Sequence, residues 1–131
     1  MGNEEREVGP VRSFGYKGLT VWQQARKLVK AVYEITQAFP PSELYGLTSQ
    51  MRRAAVSVAA NIAEGNARYS SQEYAQFISI ARGSAAELET LFQLSADLGY
   101  VLESDMEESM QSIDEISRML NKLRQSLKQV A

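Results

Sequence analysis

The chain has 131 residues, 44% of them hydrophobic and 23% charged, with a net charge of −2 and neither cysteine nor histidine. This is the composition of one soluble domain long enough to bury a core. It excludes disulfides and thiolate metal sites, removes the commonest general base and transition-metal ligand, and offers no apolar run near the ~18 residues of a membrane span.

The elements follow in order. Residues 1–15 carry mixed charges with Gly9, Pro10 and Gly15 and no periodicity, which predicts a flexible arm, with Phe14 and Tyr16 as docking anchors. Its start has no apolar signal region, so a cytoplasmic protein is expected. Residues 16–131 are expected to form one four-helix bundle. Thr20 with Gln23 reads as a capping box opening a first helix. Trp22, Ala25, Leu28, Val29, Val32, Ile35 and Phe39 mark its apolar stripe, and Pro40 and Pro41 end it.

After a connector broken by Gly46, Thr48 is expected to cap a second helix running to about Glu64, with Gly65 at its C-terminal cap. A short loop, Asn66 to Tyr69, leads to Ser70 and Glu73, a second capping box. The third helix has the longest apolar ladder: Tyr74, Phe77, Ile78, Ala81, Ala85, Leu88, Leu91, Phe92, Ser95 and Leu98, stopped by Gly99. Ser104 and Glu107 open a fourth, with Met106, Met110, Ile113, Ile116, Leu120, Leu123 and Leu127 inward. Its acidic first turn and basic last turns suit the helix dipole. Four amphipathic helices, short connections and no strand pattern predict an all-α, antiparallel up-down-up-down four-helix bundle.

The second helix is rich in small residues yet carries Arg52, Arg53, Asn61 and Glu64. If it forms a hairpin with the third, Arg53 comes level with Ser84, Ser57 with Ile80, and Asn61 with Gln76. Arg53 or Arg52 is then expected to pair with Glu87. Arg53, Asn61, Glu64 and Glu87 together read as an internal polar network. Gly83 suggests a close backbone approach, since a helix-interior glycine costs about 1 kcal/mol relative to alanine. Ala55, Ala59, Ala60, Ala63, Ala85, Ala86 and Ala96 are candidates for a flat face between subunits.

The runs Val21-Trp22-Gln23, Phe39-Pro40, Tyr45-Gly46-Leu47-Thr48-Ser49-Gln50, Arg52-Arg53-Ala54-Ala55-Val56-Ser57, Asn61-Ile62-Ala63-Glu64-Gly65 and Glu87-Leu88-Glu89-Thr90 stand in this order. With them, residues 14–128 resemble the bacterial four-helix bundle family often called 23S rRNA intervening-sequence proteins. Related proteins are accessory factors to reverse transcriptases in diversity-generating retroelements. The resemblance implies a homopentameric barrel and, for the retroelement branch, a basic surface for nucleic acid and for a reverse transcriptase. Ala59 stands where the family commonly has proline.

Three functional readings follow. The first is a non-enzymatic oligomeric accessory protein binding RNA or DNA through Arg26, Lys27, Lys30, Arg52 and Arg68. Residues 1–70 hold nine Lys/Arg against six Asp/Glu, whereas residues 71–131 hold five against ten, so the cations favour the first half. No aromatic platform is read among them. The second is a protein-interaction scaffold, such as a reverse-transcriptase accessory subunit, with Asp114 and Glu115 on an acidic face. The third is a carboxylate enzyme using Glu64, Glu87 and Asn61, for which arginine partners favour a structural role instead. No cofactor, metal or membrane partner is expected.

Overall fold

The computed structural model describes residues 11–130. The expected arm therefore lies outside the described residues as far as position 10. The segment Val11–Gly18 forms 3-10 turns that pack against the first two helices. Among the described residues there are four long helices and no strand: α1 (Thr20–Thr36), α2 (Leu47–Asn66), α3 (Ser71–Asp97) and α4 (Glu103–Val130).

The apolar repeat drives the packing. Ala25, Leu28 and Val32 of α1, Met51, Ala55, Val58 and Ile62 of α2, Ile78, Ala85, Leu88 and Phe92 of α3, and Ile113, Ile116 and Leu120 of α4 all close into one core. Steps of three and four residues place them on one side of each helix. Each large side chain so buried is worth about 1.5–3 kcal/mol. Helix α2 packs on α1 and α3, and α4 packs on α3 and α1, with the α2–α3 contact the most extensive. One residue of the predicted stripes is exposed: Leu98, at 58%, because the helix C-terminal turn carries it past the end of the core. Trp22, Val29, Ile35, Phe77, Met110, Leu123 and Leu127 are half-buried.

Helix ends separate the cues. Ser70 Oγ accepts from the Glu73 amide at 3.0 Å, as a capping box requires. Gly99 takes φ +81°, and bonds from Tyr100 N to Ser95 O (2.9 Å) and Gly99 N to Ala96 O (3.0 Å) complete a Schellman stop. Thr20, Thr48 and Ser104 are not caps. Leu19 precedes α1 without a side-chain cap, and Gln23 instead donates to Lys17 O at 2.9 Å. Thr48 and Ser104 lie inside the first turns of α2 and α4.

At the start of α2 the cap comes from upstream. Glu43 Oε1 accepts from the Leu47 amide at 3.0 Å, and its Oε2 accepts from the Tyr100 hydroxyl at 3.0 Å. Gly46 lies against this carboxylate, where an added Cβ would collide with Glu43 Oε1. The hydrogen bond from Tyr100 to Glu43, with partial burial and the nearby negative charge, raises the phenol above its usual range. Phe39 packs on the Tyr100 ring at 5.6 Å between centroids. One carboxylate thus ties the α1–α2 connection to the α3–α4 turn.

The close approach expected at Gly83 occurs at Gly65 instead. A Cβ on Gly83 would meet nothing within 4 Å, whereas one on Gly65 would lie 2.8 Å from Phe77 Cβ and 3.0 Å from Tyr74 Cδ1. Gly65 is not a cap. Helix α2 continues through it to Asn66, without interruption at Ala59.

Candidate nucleic-acid interface

The internal network is smaller than expected and contains one of its four predicted members. Asn61 Nδ2 donates to Ser57 O (2.8 Å) and Ser57 Oγ (3.0 Å), and Ser57 Oγ lies 2.8 Å from Ser84 Oγ. Ser57 therefore meets Ser84, one turn beyond the expected Ile80. Arg53 and Glu87 are both exposed and form no ion pair with each other. A short serine pair fills the helix–helix gap that a long ion pair would have to force open. Glu64 also leaves the network: it pairs with Arg68 at 3.5 Å on the surface. Such an exposed pair is worth at most about 1 kcal/mol.

Arg52 turns toward α1. Its Nε donates to Thr36 Oγ1 at 2.9 Å, its Nη2 to Tyr33 O at 3.4 Å, and its guanidinium sits 4.5 Å above the Tyr33 ring. The buried Thr36 hydroxyl completes its bonding by donating to Val32 O at 2.8 Å. Arg68 lies on the other flank of α2, 4.6 Å above the Phe77 ring. Arg26 lies 5.7 Å above Trp22, one turn earlier on α1. The absence of aromatics among the cations is thus corrected: three of the predicted arginines rest on rings. The four-residue spacing of Trp22 and Arg26 is visible in the chain. The Tyr33–Arg52 contact depends on how α1 meets α2, which no local pattern states.

The predicted cations do not share one surface. Arg26, Lys27 and Lys30 border one open groove of ≈ 710 Å³ together with Lys17, Trp22 and Gln23. Among the described residues no carboxylate borders it. Sequence reasoning missed Lys17, which the turn before α1 brings in, and Trp22, which it assigned to the apolar stripe of the first helix. There the Tyr16 ring meets Trp22 edge-on at 4.9 Å. Lys27 also borders a second groove, between α1 and α4, with Glu108 and Glu115. Arg52 and Arg53 border a third, of ≈ 500 Å³, with Tyr33, Leu44, Tyr45 and Val56.

The alanines are equally dispersed. Ala55 and Ala85 are fully buried, Ala59, Ala63 and Ala96 half-buried, and Ala60 and Ala86 exposed, so they do not form one flat face. Among the described residues, no group of three or more Asp or Glu side chains is placed to hold a metal ion. No helix among them is long and apolar enough to cross a membrane.

These features define a class: an all-α, four-helix protein whose first helix carries a groove lined by Lys17, Arg26, Lys27 and Lys30. The chain belongs to the 23S rRNA-intervening sequence protein family, whose family model matches residues 17–122. No curated protein matches the chain.

Proposed function

We propose that the protein is a non-enzymatic accessory protein that assembles with copies of itself and binds RNA or DNA phosphates through the groove on α1. The observation that carries this reading is the convergence of Lys17, Arg26, Lys27 and Lys30 around Trp22, with no carboxylate lining the groove among the described residues. Several cations on one face are what phosphate contact requires, and released counterions make such binding fall steeply with salt. Trp22 holds the Arg26 guanidinium by cation–π attraction, so less freedom is lost on binding.

The bundle is read as up-down-up-down. In support, Ser57 meets Ser84 while Asn66, later on α2, meets Tyr74, earlier on α3, at 3.1 Å. Likewise Ser79 meets Arg124 at 2.6 Å while Arg82, later on α3, meets Asn121, earlier on α4, at 3.0 Å. Family membership supports a homopentameric barrel as the assembly and the cytoplasm as its location. A second reading, an accessory subunit that docks a reverse transcriptase, is favoured by the exposed apolar patch around Tyr45.

The test is titration of single-stranded and duplex RNA and DNA across a salt series, with the wild type and the Arg26→Gln/Lys30→Gln variant. The slope of log affinity against log salt should fall by about one for each phosphate contact removed. Absence of binding at low salt overturns the nucleic-acid reading. Recovery of a reverse transcriptase on the immobilised protein would then favour the second.

A further inference from the structure

We infer that the seam between the first half of α3 and the second half of α4 holds a separate site, for a small organic anion with a carboxylate or phosphate head. It is independent of the α1 groove and of the function proposed above. A groove of ≈ 460 Å³ opens there, bordered by Gln72, Gln76 and Ser79 of α3 and by Arg124 and Lys128 of α4. Ala75 and Leu127 complete its lining. Among the described residues no carboxylate borders it. Small-molecule sites span roughly 300–1,000 Å³, so this space takes a carbon body as well as a charged head.

The groove is a cationic pocket in the acidic half of the chain. From Tyr74 to Ala86, α3 carries Arg82 and no carboxylate. From Ile116 to Val130, α4 carries Arg118, Lys122, Arg124 and Lys128 and no carboxylate. The carboxylates that flank these runs lie elsewhere. Asp114 pairs with Arg118 at 2.8 Å on the surface. Glu115 borders the α1–α4 groove. Glu73 and Glu87 are exposed and do not line this one. The next cation along the seam, Arg82, donates to Asn121 Oδ1 at 3.0 Å and also lies outside the lining.

Arg124 sets the chemistry. It is half-buried, and its Nε donates to Ser79 Oγ at 2.6 Å. That bond occupies the side edge of the guanidinium and fixes its plane. The Nη1–Nη2 edge is the one left for a ligand, and its two parallel N–H donors match two oxygens of a carboxylate or phosphate. Among the described residues Arg124 pairs with no carboxylate. Because Ser79 already orients it, binding costs it little further ordering. Lys128, one turn on, shares this face of α4 and adds a point charge. Gln72 and Gln76, one turn apart on α3, bring two amides that each donate and accept, suited to a polar group on the ligand's body. Ala75 and Leu127 give its carbon atoms apolar contact. Nucleic acid is the poorer occupant. Among the described residues no aromatic ring borders the groove, so no base can stack, and two cations line it against four in the α1 groove.

The experiment is two-dimensional NMR of the full chain, titrated at constant ionic strength with succinate, glycerol phosphate and inorganic phosphate. At least one of the two organic anions should shift the Arg124 Nε–H signal and the Gln72 and Gln76 side-chain amides saturably, and which one does so separates a carboxylate from a phosphate head. Arg124→Gln and Arg124→Lys should each weaken binding roughly tenfold or more, the lysine because it keeps the charge but loses the fork. Lys128→Gln, at an exposed position, should weaken it as well, and serves should the Arg124 variants lose helicity by circular dichroism. Arg118→Gln, an exposed control, should bind like the wild type. No saturable shift with either organic anion overturns the site, and so does saturation by inorganic phosphate alone. Full affinity in Arg124→Lys or in Lys128→Gln overturns the assigned geometry. A short RNA that shifts the same signals, and binds more weakly to Arg124→Gln, gives the groove to nucleic acid and overturns this inference.

Discussion

Between α2 and α3 the backbones close on one another; between α1 and α4 they stand apart. The first seam is the most extensive in the molecule and contains Gly65 against Phe77 and the Ser57–Asn61–Ser84 knot. The second is the least extensive of the four helix pairings, and opens into a groove of ≈ 350 Å³ lined with polar side chains. There the Gln24 amide oxygen is buried with no hydrogen-bond partner among the described residues. The contrast teaches that one core can use small residues to exclude a gap and polar ones to line another. The helix attached by the looser seam is also the one carrying the basic groove.

Four substitutions test this contrast in urea unfolding followed by circular dichroism. Gly65→Ala should have the largest effect. It gains helix propensity but forces a methyl to 2.8 Å from Phe77 Cβ, for a net loss of about 2 kcal/mol. A neutral result would show the seam to be compliant. Ser57→Ala should lose about 1.5 kcal/mol, because Ser84 and Asn61 each forfeit a partner. Gly83→Ala, on the same helix but off the seam, should gain up to about 1 kcal/mol, and a loss would place a hidden close contact there. Gln24→Leu should gain about 0.5 kcal/mol by removing an unpaired acceptor. A clear loss would mean that the open seam depends on its polar lining.

The helices were legible because apolar residues recur at three- and four-residue steps, because Pro40 and Gly99 act through their own backbone geometry, and because the Ser70 hydroxyl reaches an amide only three residues on. Thr20, Thr48 and Ser104 misled because a hydroxyl near a helix start caps only if the preceding turn presents it. At α2 the distant Glu43 had already taken that place. The α2–α3 register slipped by one turn for a physical reason. Side chains of each helix lean toward their own N-terminus, by roughly one residue. In the antiparallel pairing proposed above the two leans add, which accounts for about half of the slip. The basic groove was only partly legible. Arg26, Lys27 and Lys30 share a helix, but Lys17 joins them through a turn whose course depends on tertiary packing. Arg53 was misassigned because the nearest opposite charge along a helix pair is a poor guide when small side chains already satisfy each other.

The carboxylate of Glu43 holds two chain connections shut at once, which has a kinetic consequence. Local opening occurs in cooperative units set by shared contacts. The amides of Leu47 and Tyr100, 53 positions apart, should therefore exchange with solvent deuterium as one unit. In Glu43→Gln their protection should fall together, while amides in the middle of α3 keep theirs. Unequal loss at the two sites would show separate openings. The tie is also pH-limited. Tyr100 holds its proton more tightly when folded, so the stabilisation is complete below the unfolded tyrosine pKa of about 10 and vanishes as pH rises through the higher folded value. In strong alkali this end of the bundle would be the first to breathe.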